Sequence, residues 1–339
     1  MNIPKGTGWQ ELRAACLAAI PEGSAAPFTR PVPLHEWRRR GIFRVASCSR
    51  REIALETAGA EIGSALLSDA EHLMDNAAEH HATLRAWIEE RVWHSPGWAL
   101  VTVYYWSFFL GMSLSRLVGQ TSWFLDRAAI ADLRLLASSI QQPPAGALDL
   151  NIGPYVSATD RRVLLFPSGL QLHDAVWRRV GHLFGRMFAA SDANTSPLEY
   201  RMLRCIENAR SRVSARWPSL IRNAVNYRPG CGYREVLRRT DVDVGRYLKQ
   251  SLPLNMEDVV SEFETGLLRV APGMPLIDDV PLFCRLLIIF TLTMAAINAN
   301  LHVELLDRNS LDRRWLVLRN NFLRTRGVLH RGGTWPFAD

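Results

Sequence analysis

Lysine is almost missing from this chain. Of its 339 residues only Lys5 and Lys249 carry an ammonium group, so nearly all of the 40 basic Lys and Arg residues are arginines. Arginine keeps its charge when buried and grips a phosphate or carboxylate through a planar fork. Against 33 acidic residues the excess is +7, and the isoelectric point is near 9.5. That sign favours acidic partners such as nucleic acid; a compositional bias that swaps Lys for Arg is the other reading of the same numbers. Cysteine is scarce too. Cys16, Cys48, Cys205, Cys231 and Cys284 are odd in number, scattered and never in C-x-x-C spacing. This argues against a disulfide framework and a cysteine-built zinc site, and makes a reducing cytoplasm the expected compartment.

The signatures of common chemistry are absent from the sequence as well. It has no G-x-x-x-x-G-K-[ST], no G-x-G-x-x-G after a strand, no G-x-S-x-G and no H-E-x-x-H. Phosphate-cradling loops, nucleophile elbows and zincin sites therefore drop out, and no cofactor is expected. Glu11 and Arg13 interrupt the apolar N-terminal stretch, which does not fit a signal peptide. Charge is missing from two long segments: Val92–Ser115 and Leu286–Val303 hold no Asp, Glu, Lys or Arg. Either has the length of a membrane span. Pro96, Gly97, Thr102, Ser107 and Ser113 dilute the first, and Asn298, Asn300 and His302 the second. Both are read as central helices, apolar all round and buried in a core, with no membrane partner.

What is present is mostly helical periodicity. The 48% hydrophobic content is ample for a core. Thr7-Gly8-Trp9-Gln10 reads as a capping box for a helix ending at Pro21. Residues 21–34, rich in Pro, Gly and Ala, read as an arm. From Ser49 to about His94 apolar residues recur at helical steps, with a break expected near Ser68-Asp69, a good internal cap. Pro96-Gly97 opens the aromatic helix, and Gly119 closes it. QQPPAGA at 141–147 is a linker, and LDLNIGPYVSATDRRVLLFPSG reads as two short strands around Thr159-Asp160. The expected fold is mainly α, a multi-helix bundle with one small β-hairpin insertion. Its parts are an N-terminal helix and arm at 1–48, a helical region at 49–140, the linker and hairpin at 141–170, and a helical region at 171–339. The last packs on 49–140 as one domain.

Three groups of residues have chemical potential. Glu71, Asp75 and Glu79 fall at i, i+4 steps and share a helix face. Hard cations want such oxygens, but no matching acids appear on the other central helices, so a solvated acidic face is expected and no metal. The second group is LRNNFLRTRGVLHRGG, residues 318–333. There Arg324 can hold a phosphodiester, and His330 can move the proton of a ribose 2′-hydroxyl, with Arg319 and Asn320 orienting the substrate. That set suffices for metal-independent RNA cleavage; a basic helix end that suits the macrodipole is the structural reading. The third group is LIRNAVNYRPGCGYREV, residues 220–236. Arg222, Asn223, Asn226 and Tyr227 gather where Pro229-Gly230 must stop a helix, as a phosphate-binding site with a stacking ring or as a structural clamp.

An Arg followed by His after a short interval on a late helix, together with VTVYYWSFFLGMSLSRL and RNAVNY, resembles the HEPN superfamily of helical nucleic-acid-associated domains, most like its YaaC-like relatives. The resemblance covers scattered elements between about Trp98 and His330. It implies an RNA-processing or RNA-binding protein of a bacterial defence or toxin-type system, acting as a homodimer or with a partner protein, and cleaving RNA without metal where active. At RNAVNY, Asn226 and Tyr227 stand where a catalytic member carries His, so that copy is read as backbone-binding. The alternative is a non-catalytic helical scaffold or adaptor subunit of a nucleic-acid-associated complex.

Overall fold

The computed structural model describes residues 3–49, 52–89, 96–123, 125–138, 155–159, 161–166, 170–227, 255–274, 280–308 and 310–325. Among these residues eleven helices and five strands form. In chain order they are α1 (Thr7–Ala19), α2 (Leu34–Arg40), β1 (Arg44–Cys48), β2 (Ile53–Glu56), α3 (Gly59–Glu89), α4 (Pro96–Leu117), β3 (Gln120–Ser122), α5 (Arg127–Ser138), β4 (Tyr155–Thr159) and β5 (Arg162–Phe166). Then follow α6 (Leu172–Ala190), α7 (Pro197–Arg212), α8 (Trp217–Tyr227), α9 (Met256–Leu268), α10 (Val280–Asp307) and α11 (Arg313–Thr325). The fold is mainly α with a small β insertion, as composition and periodicity lead one to expect.

The two uncharged segments become α4 and α10. Their apolar windows are 72% and 94% buried, and the two helices pack on each other at the centre of the molecule. Gly111 of α4 allows the approach: a Cβ there would meet Met294 of α10 and Val180 of α6, each at 3.3 Å. Because α3 and α6 also pack on α4, residues from both halves of the chain share one hydrophobic core. Gly119 ends α4 as expected, with φ at +66°, a conformation that side chains resist.

The expected hairpin is present as β4 and β5, paired from Tyr155↔Phe166 to Thr159↔Arg162. It belongs to a larger antiparallel sheet of order β1-β2-β5-β4-β3. Ile53 and Leu55, which match a helical period, lie instead in β2, where Ile53 pairs with Leu165 and Leu55 with Val163. Two residues are too few to tell a period of 3.6 from one of 2. The linker at 141–147 lies outside the described residues.

The break expected at Ser68-Asp69 does not occur, and α3 runs unbroken across it. These side chains serve a neighbour instead. Ser68 Oγ accepts from the Val32 amide at 3.3 Å, and Asp69 Oδ1 accepts from the Leu34 amide at 3.2 Å, at the first residue of α2. Asp69 Oδ2 also takes Arg116 Nε at 3.0 Å. The capping box fails for a related reason. Gly6 is the cap of α1 and no side chain of its own bonds there. Glu199 of α7, with no exposure, accepts from the amides of Gly6 (3.0 Å), Gly8 (3.0 Å) and Trp9 (2.7 Å). A Cβ at Gly6 or Gly8 would lie 2.4 Å from Glu199 Oε2 or 2.8 Å from Leu203 and the Met187 carbonyl. This long-range cap fastens the N-terminal helix to α7. Glu199→Ala is expected to lower unfolding free energy by about 2–4 kcal/mol, since it strands several buried amides at a helix end. Glu199→Gln, which keeps one acceptor, should cost less; a urea midpoint equal to wild type in both variants would contradict this role.

Candidate functional site

The RNAVNY element forms the last turns of α8 and meets a histidine that sequence reading passed over. Arg222 Nη2 lies 3.3 Å from His173 Nε2, near the start of α6. On the other side of that ring, His173 Nδ1 is 2.8 Å from the Tyr104 hydroxyl of α4. Tyr104 is fully buried. Its oxygen also accepts from Trp177 Nε1 at 3.2 Å and lies 3.1 Å from Ser219 Oγ. Phe108 packs against the imidazole at 4.4 Å between ring centres, and the Arg222 guanidinium lies over the Tyr104 ring at 5.6 Å. Three helices, α4, α6 and α8, thus converge at one imidazole.

The partners fix the tautomer. A guanidinium donates and never accepts, so His173 Nε2 must hold its lone pair toward Arg222. The ring proton then sits on Nδ1 and is donated to Tyr104. With Trp177 as a second donor, Tyr104 passes its own proton to Ser219. Burial, followed by repulsion from Arg222, lowers the His173 pKa below the ordinary histidine value, against a smaller opposing pull from Asp174. His173 is therefore a neutral, half-buried base with a defined basic nitrogen.

The remaining group on α8 lines up beside it. Asn223 Oδ1 accepts from Arg222 Nη1 at 2.9 Å. Asn223 and Asn226 are exposed, and Tyr227 is 73% exposed with its ring free for stacking. Arg222 Nε is buried and has no acceptor among the described residues. Arg228 and the Pro-Gly break lie outside the described residues.

The C-terminal group is divided. Arg324 is exposed on the last turn of α11, and Asn320 is half-buried with Oδ1 lacking a donor among the described residues. His330 lies outside the described residues. Arg319 points inward, with a side chain only 2% exposed. It binds Glu71 Oε2 through Nη2 at 2.8 Å and Asp75 Oδ1 through Nε at 2.8 Å. Nε and Nη2 are both engaged and the side chain is enclosed, so it joins α11 to α3 rather than facing outward as an orienting group.

The acidic stripe must be corrected in the same way. Glu71 has no exposure and is not part of a solvated face. His302 Nε2 of α10 lies 2.6 Å from its other oxygen, as a charge contact rather than an aligned hydrogen bond. His302 Nδ1 is 2.7 Å from the Asn298 carbonyl. Burial pushes the Glu71 carboxyl up, but the Arg319 and His302 charges outweigh it and hold it at about 2. At Asp75 the balance tips the other way, and burial leaves the carboxyl above its usual range despite Arg319. Among the described residues no group of three or more His, Cys, Asp or Glu side chains has the arrangement to hold a metal ion.

His173 had a weak signal in the sequence. It stands four residues before Trp177, on one face of α6. Nothing local, however, shows that this face meets Tyr104 and Arg222. In searches of family models, curated proteins and solved structures, nothing matches this chain.

Removing the Arg319 guanidinium leaves Glu71 charged and enclosed. Arg319→Ala is expected to destabilise by about 3–5 kcal/mol, read as a drop in urea midpoint; a midpoint unchanged from wild type would refute the buried-clamp role. The pH dependence has a sign. Glu71 is lowered in the fold, so its contribution is complete above the unfolded carboxylate pKa and is lost as pH falls from about 4.5 toward 2. His81, fully buried and lowered to about 3, acts earlier. The unfolded state binds its proton first, so stability declines below the ordinary histidine pKa of about 6.5. Denaturation titrated from pH 7 to 4 should show a falling stability whose slope His81→Phe reduces by about one proton, the rest coming from the other lowered histidines, His80 and His173.

Proposed function

We propose that this protein handles RNA, with the Arg222–His173 pair as its phosphate-binding and proton-transferring centre. The observation that carries this reading is the 3.3 Å contact between a guanidinium and the lone-pair nitrogen of a neutral imidazole. Both groups stand beside exposed amides and an exposed tyrosine ring. Arg222 supports it in addition, since its Nε has no acceptor among the described residues and the guanidinium, swung from the ring, can turn that donor to a phosphate oxygen.

The chemistry needs no metal. A phosphodiester bound at α8 draws the guanidinium from His173 Nε2 to the phosphate oxygens, and the imidazole lone pair is released. His173 Nε2 then takes the proton of the ribose 2′-hydroxyl. The 2′-oxygen bonds to the adjacent phosphorus, the bond from phosphorus to the 5′-oxygen breaks, and that oxygen takes a proton from water. A 2′,3′-cyclic phosphate and a free 5′-hydroxyl result. Arg222 neutralises the charge that grows on the phosphate, Tyr104 holds the ring in its reactive tautomer, and Tyr227 offers a face for an unpaired base. The resemblance to HEPN domains agrees with this reading through the RNAVNY element, with His173 from another helix serving where that element lacks its own histidine. The Arg324–His330 pair is the second candidate for the same reaction. A scaffold subunit that binds RNA without turnover is the alternative, favoured by the enclosure of His173 beneath Arg222.

Incubation of a single-stranded RNA with EDTA present separates these readings. His173→Ala should reduce cleavage by about 10²-fold or more, with Arg222→Ala raising KM as well. Cleavage lost in His330→Ala but intact in His173→Ala would transfer the reaction to the C-terminal pair. Binding without turnover in the wild type would leave the scaffold. Because burial and Arg222 keep His173 neutral, the acid limb of the rate profile should fall below pH 6.5, the ordinary histidine value.

A further inference from the structure

Glycine inside a helix is destabilising, so a pair of them one turn apart on α6 asks for a reason. Gly181 and Gly185 face α7. A Cβ on Gly181 would press on the Arg210 side chain at 3.1 Å, whereas one on Gly185 would meet only Glu207 Oε2 at 3.8 Å, an ordinary contact. Packing thus leaves room for a side chain at 185, and the chain leaves that room empty. The result is the floor of an open groove of about 710 Å³ between α6 and the end of α7.

The walls of this groove are basic. Arg178, His182, Arg186, Arg210 and Arg216 line it, and no acidic side chain does. Three of these arginines are paired with carboxylates that do not line the groove: Arg186 with Glu11, Arg216 with Asp174, and Arg210 with Glu207, whose Oε2 comes nearest the floor at Gly185. Each remains partly exposed, at 38%, 41% and 51% of its side chain. Arg178 and His182 are exposed and make no ion pair or hydrogen bond with the described residues. Positions 178, 182 and 186 recur four apart and form one stripe on α6. From Arg178 to Ala189 the helix advances about 17 Å, room for several phosphates in a row. One turn before Arg178 lies Asp174, clasped by Arg216 at 3.0 Å, and its neighbour is His173.

We propose that this groove is the track of a single-stranded RNA backbone that delivers one phosphodiester to His173 and Arg222. The inference rests on the reading of that pair given above and adds where the flanking strand runs. A line of guanidiniums over an empty floor suits a polyphosphate chain, because phosphate contacts fix position without reading sequence. Beyond the groove Phe108 and Tyr105 pack around the His173 imidazole, with ring centres 4.4 Å and 6.3 Å away, so the proposed track serves a single strand at that end. Base-paired RNA would have to open first.

The test uses a fluorescent 12-nucleotide oligouridylate with 2′-fluoro groups, which cannot be cleaved, and the dinucleotide UpU, which is too short to fill the groove. Gly185→Leu should weaken binding of the 12-mer at least tenfold by anisotropy, with a melting temperature no lower than wild type. Arg178→Ala should weaken it about threefold to fivefold and reduce the salt slope by about 0.7, the share of one phosphate contact on a single strand. Cleavage of UpU should be unchanged in both variants. Equal 12-mer binding by wild type and both variants, with UpU cleavage still lost in His173→Ala, overturns the track and spares the catalytic pair. A 12-mer that responds to Gly185→Leu when the wild type cleaves nothing upholds the track and removes the reaction. If the 12-mer does not bind and anionic phosphatidylglycerol vesicles do, the proposed occupant is wrong.

Discussion

A carboxylate without exposure is an expensive thing to enclose, and the way Glu71 is neutralised governs how the helices of this protein lie. Its oxygens face Arg319 from α11 and His302 from α10, while Glu71 itself belongs to α3. Removing the ions from water costs several kcal/mol each, and the arrangement holds only because opposite charge meets Glu71 on both sides. Three helices distant in sequence are therefore tied at one point beneath the surface. This tie brings the last described helix against α3, and it places Asp75 at the mouth of a cavity of about 430 Å³ bordered by Phe28, Trp315 and Phe322. The same charge logic recurs at smaller scale. Glu199 caps α1 from α7, and Asp69 caps α2 from α3. At these two helix starts a distant carboxylate is used in preference to a side chain of the helix's own end, whereas Asp126, Asn255 and Asp312 cap α5, α9 and α11 locally.

That preference explains which parts of the structure were legible in the sequence. The central helices were, because an uncharged run of that length has few alternatives and its periodicity does not depend on a partner. Gly119 was, because a positive φ acts on the spot. The β4–β5 hairpin was, from a turn between alternating residues. Ser68 and Asp69 misled for one reason. A capping residue signals a need for a hydrogen bond at a helix end, but the sequence does not say whose end it serves. Glu71 misled because a stripe of acids four apart looks the same whether it faces water or an arginine 248 residues away.

The candidate site was half legible. Arg222, Asn223, Asn226 and Tyr227 stand out as a local cluster, and the structure keeps them together on α8. The base that completes the chemistry comes from α6, and the group that sets its tautomer from α4. The Tyr104 hydroxyl has three partners from two other helices, which a linear reading cannot assemble. Such a network also has a bland use. A buried hydroxyl must be satisfied wherever it lies, and the Trp177–Tyr104–Ser219 part does that alone. His173 and Arg222 are not needed to satisfy it: Tyr104 could accept from Trp177 and donate to Ser219 without them. Their presence at the rim, with an unfilled donor on Arg222, is the portion that packing does not require.

The scarcity of lysine acquires a structural meaning in this light. Many of the arginines are clamps. Arg116 joins Asp69 to the Ser122 carbonyl, Arg212 binds the carbonyls of Leu267 and Val270, and Arg201 spans Glu257 and Glu264. A compact ammonium has no planar fork with which to hold two such acceptors in fixed directions. Net charge is therefore a poor guide to ligand binding here, since many of the positive groups among the described residues are committed to the fold. The informative positions are those beside the candidate site and the groove whose donors are not fully spent. Arg222 retains an unfilled Nε, Arg178 stands in the groove without a carboxylate, and Arg186, Arg210 and Arg216 are paired on one side and open on the other. They fall on α6, α7, α8 and the turn before α8, and that placement, rather than the isoelectric point, is what suits a polyanion.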